Sequence, residues 1–227
     1  MKRIYLPELT VTLADNEHHY IKNVLRLGAG GRLEVLTPTE LVLAEISAVD
    51  KRSTTLDIIS SRPVNKPDYS FTAYQCILKR EYMDNVVEKF TELGVTKIVP
   101  VISARSISEV KESAARRYNE IAKSAVLQSE REHLPEITAP VKISDIETHE
   151  GGNIIFYERG EPNVSTVKSK NMQIVIGPEG GFAEDEAEML ISKGFTPATP
   201  LPQILKAETA ATVFAGWVMM GIQNVSR

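Results

Sequence analysis

The sequence predicts an α/β protein in which a mostly parallel sheet domain follows a small barrel-like β domain. Strand-like and helix-like stretches alternate from Phe71 onward, and that rhythm builds a parallel sheet with helical crossovers. Residues 1 to about 66 instead hold short β-rich runs broken by one short helix, a size and pattern suited to a small barrel. Between the two lies Ser60-Ser61-Arg62-Pro63-Val64-Asn65-Lys66-Pro67, whose prolines, serines and charges have linker composition. The expected domains are 1–67 and 68–227.

In the first domain Arg32–Leu36 alternates, Leu41–Ile46 is apolar and Thr54–Ile59 is β-branched, so each is predicted as a strand. The one helix is expected near Glu17–Leu25, with Gly28, Gly30 and Gly31 supplying the turn after it. In the second domain Phe71–Leu78 and Val95–Ile102 are expected strands. Met83, Val86, Val87, Phe90 and Leu93 between them fall at helical spacing, and Gly94 sits where a C-terminal cap belongs. Ala114–Glu130 carries Ala114, Tyr118, Ile121, Ala125 and Val126 on one helical face. Ile154–Tyr157 and Gln173–Ile176 are bounded apolar runs of the buried-strand type. Glu184–Lys193 and Glu208–Val218 are the last expected helices.

Composition excludes several classes. Among 227 residues, 42% are hydrophobic and 25% charged, which rules out disorder as the main state. No apolar run approaches the roughly 20 residues of a membrane span, and the N-terminus lacks a signal-peptide core. A single cysteine, Cys76, and four histidines without ligand spacing give no disulfide framework and no metal site. A cytoplasmic, metal-free protein is expected. Met1–Arg131 holds 19 Lys and Arg against 17 Asp and Glu, while Glu132–Arg227 holds 7 against 13. That asymmetry fits either a polyanion-facing first part or merely uneven solvated faces.

Two segments carry chemistry. Ile174–Phe182 runs a buried strand into the loop Gly177-Pro178-Glu179-Gly180-Gly181, and ligands of open α/β sheets bind beyond the carboxyl ends of strands. The loop matches neither dinucleotide nor Walker A spacing, so from the residues alone it is either a ligand loop or a tight strand-to-helix turn. Pro200 to Ala211 follows an extended, proline-set path into a helix, with Lys206 and Glu208 at its start. By themselves these two are equally a solvated lysine and a helix-dipole carboxylate.

Gly177-Pro178-Glu179-Gly180-Gly181-Phe182, followed by Ile204-Leu205-Lys206-Ala207-Glu208-Thr209-Ala210, resembles the signature of the SPOUT methyltransferases. Lys89-Phe90-Thr91-Glu92-Leu93-Gly94-Val95, Pro100, Arg105-Ser106, Gln128-Ser129-Glu130-Arg131 and, in the first domain, His18 or His19 with Val24-Leu25-Arg26 extend the resemblance along the whole chain. They narrow it to the small-subunit ribosomal RNA uridine-N3 methyltransferase family. Leu201, Gln203 and Lys206 stand where many members have glycine and two arginines, and Ala183 where a Ser or Thr cap is usual.

The resemblance implies a SPOUT-type trefoil-knotted parallel sheet domain preceded by a PUA-like β-barrel that helps grip RNA. It implies S-adenosyl-L-methionine as cofactor, held by Ile176, Gly177, Pro178, Glu179, Gly180 and Gly181 in one loop and by Leu201, Ile204, Leu205 and Ala207 in another. Ile155 and Tyr157, in a stretch expected to end at Glu158, complete the set. Side chains introduced at Gly177, Gly180 or Gly181 are expected to obstruct it, with Gly180→Val as the example. Lys206 and Glu208 are the implied catalytic residues, with Glu179 a further candidate to orient the cofactor or accept a proton. Arg3, Arg26, Lys79, Arg105 and Arg131 are the implied RNA contacts. The implied partners are small-subunit rRNA or the assembled small subunit and a second copy of the chain, paired through its apolar C-terminal helix. Another RNA target, or a non-catalytic RNA-binding assembly factor on the same fold, is the alternative.

Overall fold

The computed structural model describes residues 1–106, 113–157, 167–199 and 201–225. Glu158 and Pro200 of the expected loops lie outside them. The chain divides into two compact units, Met1–Lys66 with Leu127–His133, and Pro67–Val126 with Leu134–Arg227.

In the first unit β1 (Arg3–Tyr5), β2 (Thr12–Ala14), β3 (Arg32–Leu36), β4 (Glu40–Val49) and β5 (Ser53–Pro63) form a sheet of order β1-β3-β4-β5-β2. β1 pairs parallel with β3 and the other ladders are antiparallel. Leu33, Val35, Val42, Ala44, Ile46 and Leu56 supply one buried face of this core, closed by Ile21. Ile21 lies in a π-helical turn, Tyr20–Val24, that continues the short helix α1 (Asp15–His19).

Ser60–Pro63 is strand rather than linker. Its residues pair with Glu40–Leu43 across the β4–β5 ladder, and Pro63, lacking an N–H, ends the strand. Segment 127–133 belongs to this unit through charge. Glu132 takes both arms of the Arg62 guanidinium and the Asn65 N–H, while Arg3 Nη1 donates to the Arg131 carbonyl at 3.1 Å.

The second unit contains β6 (Ser70–Cys76), α2 (Arg80–Glu92), β7 (Lys97–Ile102), α3 (Ser113–Gln128, its last two residues in the first unit), β8 (Glu136–Ile137) and β9 (Val141–Lys142). β10 (Gly152–Phe156), β11 (Asn171–Ile176), α4 (Glu184–Ser192), β12 (Thr196–Ala198) and α5 (Ala207–Val225) follow. The sheet order is β12-β10-β11-β6-β7-β8, with β9 also on β7, and every ladder is parallel. α3 stops at Gln128 rather than Glu130, whose φ of 57° is not helical. α5 runs seven residues past the expected Val218, to Val225, because Met219 and Ile222 extend its buried stripe. One core joins β6, β10 and β11 to α2, α3 and α5. Among the described residues no helix is long and apolar enough to cross a membrane.

Candidate cofactor site

All-parallel pairing puts the carboxyl ends of the strands on one edge of the sheet. Ala198, Phe156, Ile176, Gln75 and Pro100 form a single row across five strands. The loops that leave this row enclose a cavity of about 250 Å³. Its walls are Phe156 and Tyr157, the run Ile176–Phe182, Ala198 and Thr199, Gln203 to Leu205, and Ala207, Ala210 and Phe214 of α5.

The glycine loop is fastened on both sides. Gln75 Nε2 donates to the Gly177 carbonyl at 3.3 Å and to the Cys76 carbonyl at 2.9 Å. Arg105 Nη1 donates to the Gly180 carbonyl at 3.0 Å, and the Lys79 N–H donates to Glu179 Oε1 at 3.0 Å. The Gly181 N–H closes the turn on the Pro178 carbonyl at 2.9 Å. Next to it, the Glu186 carboxylate takes the N–H groups of Ala104 at 2.7 Å and Ala183 at 3.1 Å. Glu186 thus satisfies the backbone at the start of α4 although Ala183 offers no capping oxygen. On the apolar side, the rings of Phe156 and Phe214 stack at 4.0 Å and 19°.

The glycines differ in what they require. Gly181 has φ 67°, a region costly for any residue with a side chain. A Cβ at Gly177 would come within 3.2 Å of the Phe182 ring. At Gly180 it would meet only Arg105, at an ordinary 3.5 Å. Gly180 is therefore the least demanding of the three on the fold itself, so a side chain there is free to act on the cavity without disturbing the loop.

Ile176 to Gly181, Tyr157, Ile204, Leu205 and Ala207 line the cavity. Ile155 does not, because strand alternation turns it into the buried cluster with Cys76, Val175 and Leu190 on the other face of the sheet. Leu201 stays outside the lining, and so do Lys206 and Glu208, at the start of α5. Lys206 is exposed, with its carbonyl accepting the Ala210 N–H at 2.8 Å. Glu179 anchors a loop through Lys79 rather than standing free as a base.

Among the expected RNA contacts, Arg26 and Lys79 are exposed, and Arg105 holds Gly180. Arg3 is committed elsewhere, since its guanidinium forks onto Glu34 at 2.7 and 2.8 Å. Arg131 lies in the 127–133 segment of the first unit. Phe156, Phe182, Ala198, Thr199, Gln203, Ala210 and Phe214 were not expected in the lining. Phe156 falls within the expected Ile155–Glu158 stretch and Gln203 within the expected Leu201–Glu208 loop. Phe182 and Ala210 end the two sequence motifs, whereas Ala198, Thr199 and Phe214 had no signal. Burial pushes the Cys76 thiol up to about 12, so it stays protonated and unreactive at neutral pH. Among the described residues no three His, Cys, Asp or Glu gather as a metal site.

The cavity fits a nucleoside-bearing sulfonium. Phe156, Ile176, Leu205 and Phe214 offer apolar walls, and bare backbone from Gly177 to Gly181 offers polar atoms at close approach.

Residues 65–219 match the model of the RNA methyltransferase domain. The ribosomal RNA small subunit methyltransferase E of Aquifex aeolicus is 32% identical over 204 residues, covering 86% of this chain and 88% of that protein. Its Rickettsia conorii namesake is 31% identical over 218 residues, covering 88% and 86%. The Neisseria gonorrhoeae protein of the same name, solved bound to S-adenosyl methionine, superposes with a TM-score of 0.86 at 27% identity over 97% of each chain. A Legionella pneumophila structure in complex with the same cofactor also gives 0.86, at 26% identity over 98% and 97%. The chain belongs to the RNA methyltransferase domain family, among the small-subunit ribosomal RNA methyltransferases E.

Proposed function

We propose that this chain transfers a methyl group from S-adenosyl-L-methionine to N3 of a uridine in small-subunit (16S) ribosomal RNA. The observation that carries the reading is the cavity at the carboxyl row of a parallel sheet, walled by the glycine loop and by the residues leading into α5, in a chain of this family. The cofactor supplies an electrophilic methyl on a sulfonium. The chain's own work is placement. Gln75, Arg105 and Lys79 fix the loop backbone through Gly177, Gly180 and Glu179, so the methyl is presented in one direction. Uridine N3 must lose its proton, and the resulting anion is steadied by positive charge. Lys206, exposed beside Leu205 and Ala207 of the wall, is the cation assigned to that task, and Glu208 the nearby carboxylate.

The finer architecture belongs to the same reading. The chain from β11 through α5 forms the trefoil knot, supported by the order β12-β10-β11-β6 and by α5 packing back on α2 and β11. The first unit is the PUA-like barrel that holds RNA, and the enzyme works in the cytoplasm without a metal. Two copies pair through α5, whose Val213, Met220 and Val225 remain exposed in the single chain. A mass of one chain by light scattering at micromolar concentration would contradict the pairing. Mapping N3-methyluridine in 16S rRNA from a deletion strain tests the activity: one modified uridine should disappear and return on complementation. An unchanged map would reject it.

A further inference from the structure

The β4–β5 turn and the α1–π turn of the first unit border an open polar depression of about 550 Å³. Three of its lining residues are cations: Lys22, Lys51 and Arg52. Asp15 is the one carboxylate in the lining. The walls are set in place before any ligand arrives. His18, only 8% exposed, shares a 2.8 Å hydrogen bond through Nδ1 with the fully buried Thr54 of β5. Lys22 Nζ donates to the Asp50 carbonyl at 3.3 Å, joining the π turn to the strand turn. His19 Nδ1 and the Asn23 amide, also in the lining, are 3.0 Å apart.

The charge here differs from the charge on the strands of the unit. Arg3, Arg32 and Arg62, on strands β1, β3 and β5, are each paired with a carboxylate. Lys51 and Arg52, at the strand turn, have no ion-pair partner among the described residues. The whole chain carries a net charge of -4, so this concentration of cations is local.

We propose that this depression is a phosphodiester-binding site for the RNA substrate, with Lys22, Lys51 and Arg52 taking backbone phosphate oxygens. The inference rests on the reading of the chain as an enzyme acting on ribosomal RNA. It assigns the grip on that substrate to residues other than Arg3, which Glu34 already occupies.

The test measures binding of the full chain to a single-stranded fragment of small-subunit rRNA across a salt series. Removing one cation that neutralises a single-strand phosphate lowers the salt slope by about 0.7. The double variant Lys51→Ala/Arg52→Ala should therefore lower it by about 1.4, with Lys22→Ala adding a further, similar step. Affinity for S-adenosylmethionine should not change, and Lys51→Arg/Arg52→Lys should keep the full slope. An unchanged slope in the alanine variants overturns the inference. So does unchanged RNA binding combined with abolished binding to small-subunit proteins, which would make the depression a protein-docking surface. Wild-type chain that binds RNA with this slope behaviour yet transfers no methyl to N3 keeps the site and rejects the proposed function. Wild-type chain that methylates assembled subunits but does not bind the fragment keeps the function and overturns the site.

Discussion

Arg105 Nη1 reaches the carbonyl of Gly180 at 3.0 Å, so a side chain implied as an RNA contact is already spent on the wall of the candidate cofactor cavity. The hydrogen bond is charge-assisted but exposed, so its net worth is near 1 kcal/mol. Arg105→Ala should weaken S-adenosylmethionine binding about fivefold by calorimetry while lowering the melting temperature by no more than about 2–4 °C. Arg105→Lys should recover only part of the loss, because a point charge replaces the fork. Wild-type cofactor affinity in the alanine variant would return Arg105 to the RNA-binding set.

The glycine loop offers a sharper contrast. Gly181 occupies φ 67°, where a side chain costs about 1–2 kcal/mol. The Cβ of an alanine at Gly180 would find ordinary contact with Arg105. Gly181→Ala should lower stability by about that amount in a urea titration, and Gly180→Ala should be nearly silent. Equal losses would mean that the turn does not depend on the left-handed residue.

The Glu132 carboxyl is held down to about 2, first by the Arg62 guanidinium and then by the Asn65 N–H. Its ordinary value is 4.5. A depressed carboxylate lends stability that is whole above the ordinary value and fades as pH falls toward the folded one. The urea midpoint should therefore drop between about pH 4.5 and pH 2, and Glu132→Gln should flatten part of that drop while lowering the midpoint at pH 7. An acid limb identical in wild type and variant would detach segment 127–133 from this pair.

Much of the fold was legible because it is local. The alternation of apolar runs and helical stripes from Phe71 onward marks β6, α2, β7, β10, β11 and α4 to within a few residues. What failed was decided by partners far along the chain. Ser60–Pro63 has linker composition but becomes strand because Glu40–Leu43 is there to pair with it. β8, β9 and β12, of two or three residues each, are too short to show a period. The glycine loop was visible as a motif, whereas Phe214 enters the cavity wall only because α5 brings it onto Phe156. Arg3 looked like free charge because Glu34, 31 residues away, is its partner only in the folded sheet.

Lys206 is the cation that the proposed mechanism assigns to the uridine anion, and its position makes it separable from stability. It is exposed just before α5, where the positive end of the helix dipole disfavours a cation. Removing that charge should therefore not destabilise the helix. Its backbone carbonyl, which accepts the Ala210 N–H, survives any substitution. Lys206→Ala should keep the wild-type melting temperature and cofactor affinity. Its turnover should nevertheless fall on the order of 10²-fold, the scale of losing one charge-stabilising group at a developing anion. Lys206→Arg should retain activity, since charge is preserved. Raising pH should partly rescue the alanine variant, because more of the uridine is then already deprotonated at N3 and less stabilisation is needed. Full activity in Lys206→Ala would leave it an ordinary solvated lysine. A loss confined to RNA affinity, with turnover at saturation unchanged, would make it a phosphate ligand and leave the stabilising charge to be sought on another residue.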